Sequence, residues 1–151
     1  VRIPYTFGEV TGNFDCHAAQ VQDLTGSPRK VGGNFDAGWN PITSLKGGPA
    51  WVGGDYHVQE CANLTDISDV ADHVGGEFEV AWNKQLKLLK AFVNCHSVKL
   101  NRPTPYSTWD DIRDVQQIQK ILNDHAGDGR AGLIHVAAAL IKLKFPENAR
   151  W

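Results

Sequence analysis

The stretch VGGNFDAGWNPITSLKGGPAW, residues 31–51, decides the fold, because the chain starts the same phrase again with VGGDY at residue 52. With V-x-G or V-G-G at the head, the sequence divides into units opening at Val10, Val31, Val52 and Val74, spaced 21, 21 and 22 residues apart. Counting offsets from each valine, position four holds Phe14, Phe35, Tyr56 and Phe78, and position six holds Cys16, Ala37, Val58 and Val80. Apolar residues return further on, first as Val21, Ile42, Leu64 and Leu86, then as Leu24, Leu45, Ile67 and Leu89. Self-similarity at a fixed period is the mark of a repeat architecture.

Offsets zero, four and six share one parity, so a strand through them turns those side chains to one face and offsets three, five and seven to the other. One unit of this length cannot bury its own apolar face. Stacked units bury a continuous one, which predicts a solenoid. The glycines at offsets one and two are expected to free the backbone for a turn ahead of the strand, and the SPRK and GGPAW endings to supply the return.

The run F-x-A-x-x-N-x-I-x-x-L from Phe35 to Leu45 resembles the leucine-rich-repeat frame, with an Asn or Cys column at offset nine formed by Asn40, Cys61 and Asn83. The wording VGGNF…NPITSLKGGP is similar to short repeats in small leucine-rich-repeat proteins of tailed bacteriophages and some bacteria. The resemblance covers residues 10–100. It departs from the frame where Phe, Val or Ala replaces leucine and where Ala19 stands in the Asn column. It implies an α+β fold, a leucine-rich-repeat-like β-solenoid with a parallel sheet. It also implies a phage accessory or virion-associated protein acting on a host or phage component.

A solenoid has open ends that need covering. Residues 1–9 read as a degenerate unit forming the first cap, and residues 1–101 as the solenoid. The alternating stretch FVNCHSVKLN at 92–101 reads as a last strand. RPTPYST breaks the pattern with two prolines, and Ser107 with Asp110 resembles a capping box. Ile112, Val115, Ile118, Ile121 and Leu122 then follow at helical spacing, predicting a helix over 108–125. HAGDGRAG is a stop and restart, and RAGLIHVAAALIKLKF a second helix ended by Pro146. Residues 102–151 are thus expected to form a helical hairpin that packs on the last strand.

The chain has 151 residues, enough for one domain with its own core. No apolar run approaches the roughly 18 residues of a membrane span, so no membrane partner is expected. The start VRIPYTFGEV lacks a basic head and apolar stretch, and the absence of methionine suggests that Val1 follows a removed initiator. Three cysteines are too few and odd for a disulfide framework, pointing to a reducing cytoplasm, that of the host if phage-encoded, or to a virion. The net charge of −2 hides a dipole. Residues 1–83 hold 11 acidic against 4 basic side chains, net −7, and residues 84–151 hold 6 against 11, net +5. Such asymmetry is a partner signal.

Outward offsets three, five, seven and eight are expected to line a concave sheet carrying Asp15, His17, Asp36, Trp39, Asp55, His57, Glu60, Glu77, Glu79 and Trp82. Carboxylates stacked about 4.8 Å apart repel unless a basic group approaches. The plain reading is a solvated face; tryptophan at two outward positions favours protein binding instead. A metal site is not expected, because Cys16 and Cys61 fall in buried columns and His17 and His57 lie about 10 Å apart. A nucleophilic pair fails because Cys95 and His96 point to opposite faces. HAGDGRAG lacks the lysine and preceding strand of a phosphate loop. Nucleic acid is disfavoured, since the basic residues form no continuous stripe and the acidic sheet opposes phosphate. The expectation is a non-enzymatic interaction module without cofactor. The competing reading is a structural subunit that docks through its C-terminal helices and Trp151.

Overall fold

The computed structural model describes residues 1–102 and 108–151. The four units stack as successive turns, here called rungs, of a parallel β-solenoid, and helices close its C-terminal side. Each of the first three rungs carries two short strands. These are β1 (Glu9–Val10) and β2 (Phe14–Asp15), β3 (Lys30–Val31) and β4 (Phe35–Asp36), and β5 (Trp51–Val52) and β6 (Tyr56–Val58). In the fourth rung both merge into β7 (His73–Ala81), and β8 (Cys95–Asn101) pairs with it. All pairings are parallel, in the order β1-β3-β5-β7-β6-β4-β2 with β8 on β7. The register matches the sequence columns residue for residue, with Val31 beside Val52 and Phe35 beside Tyr56.

Two strand stripes per rung differ from the single strand expected, and the glycines explain the difference. None of Gly32, Gly33, Gly53, Gly54, Gly75 and Gly76 adopts a left-handed φ. They do not release the chain into a free turn; the backbone stays hydrogen-bonded to the preceding rung through them, as in Gly53 N–H to Val31 C=O at 2.9 Å and Gly54 N–H to Gly33 C=O at 3.0 Å. What demands glycine is closeness. A Cβ on Gly53 would run into the Gly32 carbonyl oxygen, and one on Gly54 into Asn34 Oδ1. That amide oxygen belongs to a ladder at offset three: Asn13, Asn34 and Asp55 accept from the N–H of Asn34, Asp55 and Glu77 at 2.8, 3.0 and 2.8 Å.

The interior is built from the predicted columns. Val31, Val52 and Val74 are buried, as are Phe35, Tyr56 and Phe78, whose rings follow Phe14 at centroid spacings of 5.6, 4.9 and 5.4 Å. Asn40 fills its column as a buried hub, accepting from Val21 N–H at 2.9 Å and donating to the carbonyls of Cys16, Ala37 and Gly38. Cys61 Sγ lies 3.4 Å from the Ala37 carbonyl oxygen, and Asn83 donates to Leu64 C=O at 2.8 Å. Tyr56 is the odd member of the aromatic column. Its hydroxyl is buried with no hydrogen-bond partner. Removing an unsatisfied buried hydroxyl recovers its desolvation cost, so Tyr56→Phe is expected to stabilise the fold by about 1 kcal/mol, read as a rise in melting temperature of roughly 3 °C.

The C-terminal side holds α1 (Leu89–Asn94), α2 (Trp109–Asp124) and α3 (Leu133–Lys142). α2 and α3 fall where helical spacing places them. α1 corrects the expected pattern: residues 92–94, read in sequence as the start of the last strand, continue from Leu89 as helix, with Phe92 N–H bonded to Leu88 C=O at 2.9 Å, and the strand begins only at Cys95. The predicted capping residue Ser107 lies outside the described residues. Thr108 caps α2: its hydroxyl accepts from Asp111 N–H at 3.1 Å, and Asp111 Oδ2 accepts from Thr108 N–H at 3.0 Å. Asp110 instead pairs with Arg113 at 3.0 Å. α2 packs on β8, and α3 packs against α1 and α2. One α2 side chain closes the last strand's open edge: Gln119 accepts from Leu100 N–H at 2.7 Å and donates to Val98 C=O at 2.8 Å.

Candidate protein-binding face

The outward side of the second stripe carries nearly all the candidate residues. Its central row runs Asp15, Asp36, His57, Glu79 and Lys99 across five parallel strands. Lys99 is a member that the repeat pattern does not announce: counting from Cys95 beside Val74 would set it next to Phe78, and a register shift between Val74 and Glu77 brings it beside Glu79 instead. Its ammonium lies 2.9 Å from Glu79 and 3.9 Å from Glu77. Burial pushes the Glu79 carboxyl up, but hydrogen bonds from Lys99 and Asn101, with the Lys99 and His57 charges, outweigh it and hold the group below its ordinary range. The hydrogen bond to Glu79 in turn raises Lys99. His57 sits between Asp55 Oδ2 at 3.8 Å and Glu79 Oε2 at 3.7 Å. Basic groups from within the fold therefore answer much of the stacked negative charge on rungs three and four.

The carboxylates of the first two rungs hold their own turns. Asp15 Oδ1 accepts from His17 N–H and Asp36 Oδ1 from Gly38 N–H, both at 2.8 Å. His17 Nδ1 lies 3.4 Å from Asp36 Oδ1, and its ring stands 6.4 Å from that of Trp39. Trp39 is 56% exposed. It occupies offset eight, a column the fold holds in the left-handed region, with φ of 52° at Ala18, 57° at Trp39 and 56° at Glu60. Asp15, His17, Trp39 and Glu60 are exposed and Asp36 half-buried. These five make a contiguous acidic patch around one indole.

Trp82 does not belong to it. It shares offset eight with Trp39 but is 1% exposed. The fourth rung continues as strand to Ala81, and the C-terminal tail folds back over the indole just beyond that strand. Phe145 packs edge-on against the Trp82 ring at 6.1 Å, and Asn148 Oδ1 accepts from its indole N–H at 3.4 Å. The expectation of two outward tryptophans is corrected to one, because the offset rule assumes an uncovered rung and the last rung is covered.

Cys16 and Cys61 point inward, and Cys95 is buried while its neighbour His96 is exposed. Burial pushes these thiols up, to about 12 for Cys16 and Cys95 and about 11 for Cys61. They stay protonated at neutral pH, which suits packing better than nucleophilic attack. Among the described residues, no three His, Cys, Asp or Glu side chains gather where they could hold a metal ion, and no helix is long and apolar enough to cross a membrane. His125 stacks on His135 at 5.7 Å within the helix-connecting turn and α3, with Asp128 3.2 Å from His125 Nδ1. The chain matches no protein-family model, no curated protein and no solved structure.

Proposed function

We propose that this protein is a non-enzymatic interaction module that binds a protein with a basic surface through the patch of Asp15, His17, Asp36, Trp39 and Glu60. The observation that carries this reading is Trp39. A side chain in the left-handed region costs on the order of 1 kcal/mol relative to glycine, and an exposed indole gives up its burial as well. The backbone cost is common to the column, shared by Ala18 and Glu60; what distinguishes Trp39 is the indole it leaves 56% exposed. Tryptophan among charges is the composition of an interface hot spot, and carboxylates answered by backbone N–H groups and one histidine, not by a lysine or arginine among the described residues, favour a cationic partner. The similarity of the repeats to those of phage proteins supports a phage accessory or virion-associated role, with the partner a host or phage protein.

Trp39→Gly tests this cleanly, because glycine suits φ of 57° and the Trp39 N–H bond to Gln59 C=O survives. The variant is expected to melt at or above the parent temperature while losing the proteins that the parent captures by affinity purification, as read by mass spectrometry. Unchanged capture by a folded Trp39→Gly protein would remove the patch from consideration. A structural-subunit reading is favoured by a separate observation: Ile134 and Ile141 of α3 are 78% and 59% exposed, and Trp151 is 53% exposed. Capture lost in Ile141→Glu and kept in Trp39→Gly would move the assignment to that surface.

A further inference from the structure

β1 and β2 stand at the two ends of the strand order, so each pairs on one side only among the described residues. In β2 the Phe14 N–H donates to Asn34 C=O, and beyond it the Cys16 N–H donates to Asp36 C=O, both at 2.8 Å. A parallel ladder alternates its bonding side from residue to residue, which turns the N–H and C=O of Asp15 away from the fold. Such an edge is a template for a further strand. The opposite edge of the sheet has lost this property, because Gln119 occupies it.

The offset-three ladder shows the same vacancy. Each later rung donates its offset-three N–H to the amide or carboxylate oxygen of the rung before it, and Asn13 is the first member. In the later rungs that oxygen lies where a Cβ on Gly33, Gly54 or Gly76 would have to go. Gly12 holds the same column in the first rung, and a Cβ there would meet nothing within 4 Å. The slot for a ladder oxygen is open above Gly12.

Three further features define what fits. Thr11 stands where later rungs have glycine, and a Cβ in that column collides with the preceding rung's carbonyl, as at Gly32 and Gly53. A complete rung is therefore refused, and only the β2 edge is open. Phe7 packs edge-on to Phe14 at 5.2 Å and covers the inward side, so an incoming inward side chain must be small. Asp15 ends a row in which Glu79 already meets Lys99 across a strand pair at 2.9 Å, so a cation suits the position beside Asp15.

We infer that the β2 edge takes, by parallel strand addition, a short extended segment of a partner protein with the pattern Asn or Asp, a small residue, then Lys or Arg. The Asn or Asp oxygen accepts from Asn13 N–H above Gly12, and the cation lies beside Asp15. Two copies meeting at this edge would juxtapose their acidic rows, which opposes self-pairing. This edge shares Asp15 with the Trp39 patch but does not involve the indole, so Trp39→Gly leaves it intact.

The test is a titration of the isotope-labelled full chain, followed at the backbone amide signals of Asn13 and Asp15. The probe is a peptide of residues 33–38 carrying Phe35→Ala and Asp36→Lys. Shifts centred on those amides are expected, with affinity about 5-fold weaker for the peptide that retains Asp36. In the Asp15→Lys protein that preference should reverse. Gly12→Ala, which meets nothing in the free protein, should melt like the parent and lose the peptide. Amide signals that stay unmoved at millimolar peptide overturn the inference, as does undiminished binding by Gly12→Ala. Concentration-dependent dimerisation that Gly12→Ala abolishes would give the edge to a second copy, and overturns it equally.

Discussion

Gly54→Ala is expected to destabilise the protein by about 3 kcal/mol, lowering the melting temperature by roughly 10 °C, while Gly12→Ala at the same offset leaves it unchanged. A Cβ on Gly54 would overlap Asn34 Oδ1 and press on the Gly33 backbone. Asn34 cannot simply swing aside, because that oxygen accepts from Asp55 N–H at 3.0 Å. The strain thus reaches two rungs at once: either the ladder bond breaks and leaves an N–H without a partner, or the rungs separate against their backbone bonds. Gly12 has no preceding rung, so its Cβ would have free space. Equal losses for the two variants would show that the glycines act through backbone freedom and not through proximity.

Asn148→Ala is expected to cost about 3 kcal/mol and to shift tryptophan emission to longer wavelength. Asn148 is 1% exposed and joins the tail to the last rung. Its amide donates to Leu86 C=O at 2.7 Å and Asn83 C=O at 3.3 Å, and its oxygen accepts the Trp82 indole N–H. Alanine leaves those groups buried and unpaired, at about 1–3 kcal/mol for each group stranded without water. The tail is further held by Leu88 N–H to the Asn148 carbonyl at 3.2 Å and Leu89 N–H to the Arg150 carbonyl at 3.1 Å. Loss of the side-chain bonds should therefore loosen the tail locally and wet Trp82 first. Emission and melting temperature together check this, and an unshifted emission with the parent's stability would contradict it.

The repeat made the solenoid legible because register in a parallel stack is set by the same columns that carry the sequence similarity. Phe14, Phe35, Tyr56 and Phe78 had to be neighbours once the units were aligned, and so had Asp15 and Asp36. The purpose of the glycines was not legible. Flexibility and close approach select the same residue, and only coordinates reveal which one applies. Thr11 was the available clue, since the one unit free to lack glycine at offset one is the one with no rung stacked on that side among the described residues.

The candidate face was legible where the rungs repeat and misread where they stop. Trp39 and Trp82 are equivalent by offset, yet one stands in solvent and the other beneath the tail. Period carries no information about what a non-repeating segment will cover. Lys99 was hidden for the same reason: it lies beyond the last valine-led unit, and only a register shift between Val74 and Glu77 sets it beside Glu79. Thr108 displaced Ser107 as the cap of α2 because Asp111, not Asp110, reaches back to the preceding N–H.

Gln119 satisfies one N–H and one C=O of β8 with a single primary amide. A helix that terminates a stack in this way needs only the strand directly beneath it and takes no account of how many turns came before. The length of the array is then set by how many units are encoded, not by the terminator. Duplication or deletion of a whole unit would thus alter the extent of the acidic surface while leaving the same lid in place.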